Sequence, residues 1–145
     1  MGNKTYLITG ASKGIGRSIA MRLAKDGIQI VLLARQSEEL EDACREVQSL
    51  SSSSFMIPCD LAQSDSIDAA IESFNGIDSI DGIVHNAGTI APIRSMFEAE
   101  TDAWERNIQV NITGVQRLTK GLYSKMKASE TVSYTHLTLP TTPYV

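Results

Sequence analysis

The sequence predicts an α/β fold built on a doubly wound parallel sheet. Strand-like and helix-like segments alternate from the first residues onward, which favours right-handed parallel crossovers. One apolar run is nearly continuous, as is typical of a strand buried on both faces. A glycine-rich loop lies where the first strand passes into the first helix. We therefore expect strands at residues 4–9, 28–34, 55–59 and 82–85.

Three helices are predicted between these strands. The first has apolar residues at steps of four and ends near Gly27, which favours one buried stripe of Ile15, Ile19 and Leu23. Ser37 is a candidate N-cap of the second helix, whose stripe contains Leu40, Cys44, Val47 and Leu50. The third helix, residues 64–74, places on one side Ile67, Ile71 and Phe74.

Residues 101–129 predict one long helix or two joined helices. Their shared apolar face contains Trp104, Ile108, Val115, Leu118, Leu122 and Met126. Asn111 falls on the same face. Burying an amide without a partner costs roughly 1–3 kcal/mol, so we expect Asn111 to be hydrogen-bonded.

Composition and charge exclude several classes of function. The chain has 145 residues and a formal net charge of -4. An acidic chain without a basic run is a poor partner for nucleic acid or an anionic membrane. No apolar run is long enough to cross a bilayer and no signal peptide is visible, so we expect a cytoplasmic protein. Cys44 and Cys59 lack metal-ligand spacing, so we expect reduced thiols and no metal.

The glycine loop at residues 9–16, Thr-Gly-Ala-Ser-Lys-Gly-Ile-Gly, predicts a phosphate-binding turn. Gly10 permits a tight turn, Gly14 lets the backbone approach a pyrophosphate, and Gly16 lets the helix pack closely on the sheet. Free N–H groups at the start of the helix would face the anion. The alternative is a glycine-rich turn that binds nothing.

Four segments in order resemble the short-chain dehydrogenase/reductase family over residues 4–128. They are the TGxxxGxG loop, Asp60-Leu61, Asn86-Ala87-Gly88 and Asn111-Ile112-Thr113-Gly114. The resemblance implies a Rossmann-type doubly wound parallel sheet that is incomplete, with four strands of the family's larger sheet. His85 departs from the pattern, because it replaces the first Asn of Asn-Asn-Ala-Gly, and we expect it to be a hydrogen-bonded residue at a strand end. Residues 86–93 look like the sepiapterin- and benzil-reductase branch.

The resemblance implies cofactor binding by Gly10, Ser12, Lys13, Gly14, Ile15, Gly16, Arg35, Asp60, Leu61, Asn86, Ala87 and Gly88. The second strand ends at Arg35, where an NAD-preferring fold usually has an acid. Arg35 could hold a 2′-phosphate, with Lys13 adding a second positive charge, so we predict NADP(H). The alternative is that Arg35 is a solvated residue at the end of a strand.

The family transfers hydride between nicotinamide and a carbonyl or alcohol carbon, using a serine, a tyrosine, a lysine and an asparagine. Only the asparagine has a match, Asn111. Tyr123 and Lys127 spell Tyr-x-x-x-Lys, but they lie on the same helix as Asn111, so we reject them as the catalytic pair.

The composition changes near residue 130, and residues 131–145 carry no Asp, Glu, Lys or Arg. We expect residues 1–130 to be the N-terminal part of an NADP-binding Rossmann domain, and residues 131–145 to be an extraneous tail. Without the native fifth strand, the outer edge of the fourth strand would lie uncovered, although the tail has the β-propensity to fill that place. We therefore expect an inactive, poorly stable chain from an active parent.

Two other functions stay open at this point. One is a cofactor-binding module that senses NADP(H) without turnover. The other is a methyltransferase on a similar sheet, which Arg35 disfavours because that fold wants an acid at the end of its second strand. The expected partner is a small-molecule carbonyl or alcohol substrate. The resemblance also implies a homodimer or homotetramer in the complete parent.

Overall fold

The structure is a computed structural model that describes residues 4–129 and 133–136. Its strands are β1 (Thr5–Thr9), β2 (Gln29–Ala34), β3 (Phe55–Pro58), β4 (Gly82–His85) and β5 (Ser133–His136). Its helices are α1 (Gly14–Ala24), α2 (Glu38–Leu50), α3 (Ser64–Glu72), α4 (Thr101–Ile108) and α5 (Gly114–Lys127). A π-helical turn, Gln109–Thr113, joins α4 to α5.

The strands form one parallel sheet in the order β3-β2-β1-β4-β5. Leu7 in β1 pairs with Val31 in β2 and with Ile83 in β4, so β1 is central. The strand order reverses beside β1, because the chain adds β2 and β3 on one side and β4 on the other. The four predicted strands and the Rossmann-type fold are confirmed. The carboxyl ends of all these strands meet at one edge, where ligands of such sheets bind.

The outer edge of β4 is paired, contrary to the uncovered edge expected from the sequence. The segment Ser133–His136 lies parallel to β4, with Gly82 opposite Ser133 and His85 opposite His136. Residues of high β-propensity can complete a ladder through backbone hydrogen bonds alone, whatever their origin. The expectation of an uncovered edge is therefore wrong, and the alternative, that the tail fills the place of the fifth strand, is confirmed for residues 133–136.

Two apolar layers hold the sheet between its helices. Successive residues of a strand point to opposite faces, so Leu7 belongs to one layer and Ile8 to the other. The first layer packs under α3 and α5, and the second under α1 and α2. This burial on both faces explains why β2 is apolar from Ile30 to Ala34.

The buried face of α1 differs from the predicted stripe. Ile15 is 65% exposed, while the buried residues are Gly16, Ala20 and Ala24. Small residues let the helix axis approach the sheet, and that close packing turns the larger apolar side chains toward the margins. The stripe of α2 is confirmed for Leu40, Cys44 and Val47, with Ser37 capping the helix by accepting a hydrogen bond from the Leu40 N–H at 3.2 Å.

Of the two alternatives predicted for residues 101–129, one long helix or two joined helices, the second is confirmed by α4 and α5. Val115, Leu118, Leu122 and Met126 are buried as predicted, but Trp104 is 51% and Ile108 is 38% exposed. The wider π-helical turn rotates α4 relative to α5, so one regular stripe cannot run through both. The expected burial of Trp104 and Ile108 is therefore wrong. No helix in the described ranges is long and apolar enough to cross a membrane.

Candidate functional site

A cavity of about 710 Å³ opens at the carboxyl edge of the sheet. It is bounded by the loops that follow β1, β2, β3 and β4, and by one side of α4. Most of the predicted cofactor-binding residues line it, namely Gly10, Ser12, Lys13, Ile15, Arg35, Asp60, Leu61, Asn86, Ala87 and Gly88. Segments that are far apart in the sequence thus form one concave surface.

Gly14 and Gly16 shape the loop without lining the cavity. Gly10 and Gly14 have φ of 64° and 58°, a left-handed conformation that favours glycine. At Gly16 a Cβ would lie 2.5 Å from Asn86 Nδ2 and still closer to Gly10 O. The loop therefore packs against the end of β4 with no room for a side chain at residue 16.

Thr9 ties the ends of β1 and β4 together. Its hydroxyl oxygen accepts hydrogen bonds from the backbone N–H groups of Asn86 and Ala87, both at 3.0 Å. Asn86 Nδ2 in turn donates to Thr9 O at 3.1 Å and to Gly10 O at 3.2 Å. The motif alone does not predict this role for Thr9, and the one sequence signal is that a polar residue ends the strand after its apolar residues.

Asp60 is fixed at the end of β3. Its Oδ1 accepts from the Ala62 N–H at 2.9 Å, and its own N–H donates to Ser66 Oγ at 2.9 Å. Its other oxygen, Oδ2, lies 3.6 Å from a guanidinium nitrogen of Arg106 on α4. Arg106 also lines the cavity and had no sequence signal, because nothing local connects it to Asp60.

Asn111 lies in the π-helical turn and does not line the cavity itself. Its Oδ1 accepts from the Thr89 N–H at 2.9 Å, and its Nδ2 donates to Thr89 O at 2.6 Å. Asn107, one turn earlier, accepts a second hydrogen bond from Asn111 Nδ2 at 2.8 Å and donates to Ala91 O at 2.8 Å. The expected pairing of the Asn111 amide is confirmed, and Asn107 is a further residue of this network.

Two basic side chains stand at the mouth of the cavity, beyond the end of β2. Arg35 and Lys13 are both exposed, and both line the cavity. Ser37 and Glu39 at the start of α2 complete this end. The mouth therefore combines two positive charges with one carboxylate.

His85, the last residue of β4, is buried and lies outside the cavity lining. Its Nε2 lies 3.0 Å from Thr119 Oγ1, whose hydroxyl donates to Val115 O at 2.7 Å. The predicted hydrogen-bonded histidine at a strand end is confirmed.

The cysteines are buried thiols. Burial raises the pKa of Cys44, and burial is also the main cause of the raised pKa of Cys59, which lines the cavity. Raised pKa values disfavour the reactive thiolate. Within the described residues, no three His, Cys, Asp or Glu side chains cluster as metal ligands would.

The Tyr-x-x-x-Lys string lies far from the cavity. Tyr123 is 62% exposed on α5. Lys125, between the pair, accepts through its carbonyl a hydrogen bond from the Ile80 N–H at 3.0 Å, just before β4 begins. This end of α5 therefore lies at the amino edge of the sheet, opposite the cavity.

Comparisons with known proteins point to one family. The family model described as short chain dehydrogenase matches residues 4–133. A fatty acyl-CoA reductase from Acinetobacter baylyi is 34% identical over 126 residues, which are 85% of this chain and 42% of that protein. A 3-oxoacyl-[acyl-carrier-protein] reductase from Staphylococcus epidermidis is 34% identical over 115 residues, 78% of this chain and 47% of that protein. The chain thus spans about half the length of these relatives.

A solved structure gives the same result for the fold. L-sorbose reductase from Gluconobacter frateurii, complexed with NADPH and L-sorbose, matches with a TM-score of 0.85 at 32% identity. The match covers 94% of this chain and 52% of the reductase. The structural likeness therefore extends over nearly all of this chain.

Proposed function

Since the chain belongs to the short-chain dehydrogenase/reductase family, we propose that it forms the NADP(H)-binding part of an oxidoreductase that reduces a carbonyl or oxidises an alcohol. The observation that carries the proposal is the cavity at the carboxyl edge, lined by the glycine loop and by the ends of three further strands. A bound nicotinamide cofactor would supply or accept the hydride. The residues of this chain bind and orient it.

The glycine loop is suited to hold the pyrophosphate. α1 begins at Gly14, so the N–H groups of its first turn have no partner within the helix and can bind an anion. Gly10 and Ser12 line the adjoining part of the cavity. Asn86 holds the loop in this shape through its bonds to Thr9 and Gly10.

Arg35 and Lys13 support a preference for the 2′-phosphate of NADP(H). Both line the cavity beyond the end of β2, and the β2 end itself carries no acid. Hydrogen bonds to a charged group contribute roughly 1.5–3 kcal/mol, so loss of one from Arg35 corresponds to about a 10- to 150-fold change in affinity.

The test is fluorescence titration of Arg35→Asp with NADPH and with NADH. We expect NADPH binding to weaken by at least tenfold more than NADH binding, because only NADPH carries the 2′-phosphate. Lys127→Asp makes the same change in net charge at an exposed position outside the cavity lining, and should change neither. Equal losses for both cofactors in Arg35→Asp would contradict the assignment.

Asn111 is the proposed catalytic residue of the parent enzyme, where the resemblance assigns the asparagine to holding a proton-relay water. Its amide is fixed by Thr89 and Asn107, which would keep it in one orientation. No match for the family's serine or its Tyr-x-x-x-Lys is proposed in this chain, and Tyr123 stands opposite the cavity. We therefore expect NADPH binding without carbonyl reduction by the 145-residue chain; robust turnover would refute this.

The domain boundary is part of the same proposal. Residues 1–130 are assigned to the cofactor domain and 131–145 to an extraneous tail. Sequencing native transcript or genomic DNA across codons 125–145 tests this. A reading frame that continues into a serine-bearing strand and a Tyr-x-x-x-Lys helix supports it, and a confirmed Thr-rich tail contradicts it.

The alternative of a non-catalytic NADP(H) sensor makes a different prediction for the complete protein, namely tight NADPH binding with no turnover on any carbonyl. The substrate branch, the homodimer or homotetramer and the cytoplasmic location also remain predictions.

A further inference from the structure

Arg106 connects α4 to the cofactor cavity. It is the only arginine besides Arg35 among the residues that line the cavity in the described part of the chain. Its guanidinium lies 3.6 Å from Asp60 Oδ2, across the cavity wall between β3 and α4. Half of the Arg106 side chain is exposed, as is about a third of Asp60.

This ion pair contributes little to folding by itself. At 3.6 Å it is longer than a charge-assisted hydrogen bond, and both partners remain partly hydrated. Asp60 is also held in place without it, through Ala62 and Ser66. Asp60 therefore does not depend on Arg106 for its position, and the guanidinium can contact a ligand while it stays beside the carboxylate.

The ligand surface nearest to this pair would be the adenine base. The glycine loop follows β1, Arg35 follows β2, and Asp60 and Leu61 follow β3, so the order β3-β2-β1 places Arg35 between the other two along the cavity. With the pyrophosphate at the loop and the 2′-phosphate at Arg35, as proposed above, the adenine would lie toward the end of β3. A guanidinium is planar and stacks on aromatic faces, which a lysine ammonium cannot do in the same way.

We propose that Arg106 is an adenine-binding residue, which covers one face of the base with its guanidinium while Asp60 holds that guanidinium in position. The inference rests on the proposed NADP(H) site. With this role for Arg106, α4 becomes part of the cofactor site. The next residue, Asn107, fixes α4 to the loop after β4 by donating hydrogen bonds to Thr89 O and Ala91 O.

The test is titration of the 145-residue chain with NADPH and with 2′,5′-ADP, which carries the adenosine end of the cofactor but no nicotinamide. Arg106→Ala removes both the positive charge and the planar guanidinium group. Arg106→Lys keeps the positive charge but has no planar group that can stack. Arg22→Ala is the matched control, since Arg22 also forms an ion pair, with Asp26 at 2.7 Å, but is absent from the cavity lining.

We expect Arg106→Ala to weaken both ligands by a similar factor of about 5- to 30-fold, the range of one lost stacking contact. Arg106→Lys should recover only part of that loss, and Arg22→Ala should stay within about twofold of wild type. Unchanged affinity in Arg106→Ala, full recovery in Arg106→Lys, or a loss for NADPH alone would overturn the inference.

Two further readouts separate the causes of failure. If wild type binds neither ligand, the NADP(H) site itself is wrong and the inference falls with it; if wild type binds and the variants match it, only the role of Arg106 is wrong. If thermal unfolding shows that Arg106→Ala is less stable than Arg22→Ala, the affinity of Arg106→Lys for each ligand, relative to wild type, decides the question. A folded Arg106→Lys variant that binds as tightly as wild type would overturn the stacking role.

Discussion

Replacing Gly16 by alanine should disrupt the glycine loop, although the change adds a single methyl group. Gly16 is buried in the first turn of α1, and its φ is not in the left-handed region. The cost is therefore steric. The added Cβ would lie 2.5 Å from Asn86 Nδ2 and closer still to Gly10 O, and the latter is backbone that cannot rotate away.

The magnitude follows from two effects. Forcing an extra methyl group into a packed site costs typically 1–3 kcal/mol. If Asn86 moves to make room, its hydrogen bonds to Thr9 O and Gly10 O are strained or lost, at about 0.5–1.5 kcal/mol each. If both effects act in full, a total of about 2–6 kcal/mol is shared between stability and NADPH affinity. If all of it appeared in binding, the affinity would fall roughly 30- to 25,000-fold.

Two other glycines give controls. A Cβ at Gly76 would meet nothing within 4 Å, and Gly76→Ala should be neutral or slightly stabilising. Gly14 also has open space, but its φ of 58° makes alanine strained there by about 1–2 kcal/mol without any collision. Comparing Gly14→Ala with Gly16→Ala therefore separates backbone strain from crowding.

The assay is urea unfolding together with NADPH fluorescence titration of each variant. We add the losses in the free energy of unfolding and in the free energy of NADPH binding. We expect this sum to be largest for Gly16→Ala and zero for Gly76→Ala. If Gly16→Ala unfolds and binds as wild type does, the packing of the loop against Asn86 is not as described, and the steric argument fails.

Two further predictions concern contacts outside the loop. Asn107→Val should leave Thr89 O with one partner fewer and let the Asn111 amide rotate, so that the Thr89 amide proton exchanges faster by hydrogen-exchange measurement; unchanged protection would contradict this. The bidentate hydrogen bonds from Arg117, at 2.7 and 2.6 Å, lower the pKa of Asp68, so their stabilisation is complete above about pH 4 and is lost as pH falls through the lowered pKa. Denaturation curves of wild type and Arg117→Gln should therefore differ slightly at pH 7 and converge in acid, and the small difference should shrink with salt because both groups are exposed; a difference that persists in acid would show another cause.

The sequence by itself determined the positions of the first four strands in the chain, the helix cap at Ser37 and the position of the glycine loop. Each of these features is set by residues that lie close together in the chain. Alternation of strands and helices, a second strand that is nearly all apolar, and glycines at fixed offsets are local patterns. The parallel topology follows from the handedness of the connections. The carboxyl ends of parallel strands must share one edge, so the predicted cofactor residues Arg35, Asp60 and Asn86 come together once the fold is right.

Only the tertiary structure decided which faces are buried and which side chains meet across the cavity. Periodicity marks an apolar stripe but not how closely a helix approaches its sheet, and in α1 the approach is so close that Gly16 and Ala20 are buried while Ile15 is exposed. The π-helical turn broke the regular period that would have buried Trp104. The contact between Arg106 and Asp60 joins residues that are distant in the chain, and such pairs leave no mark in local sequence because they arise only when separate elements pack together.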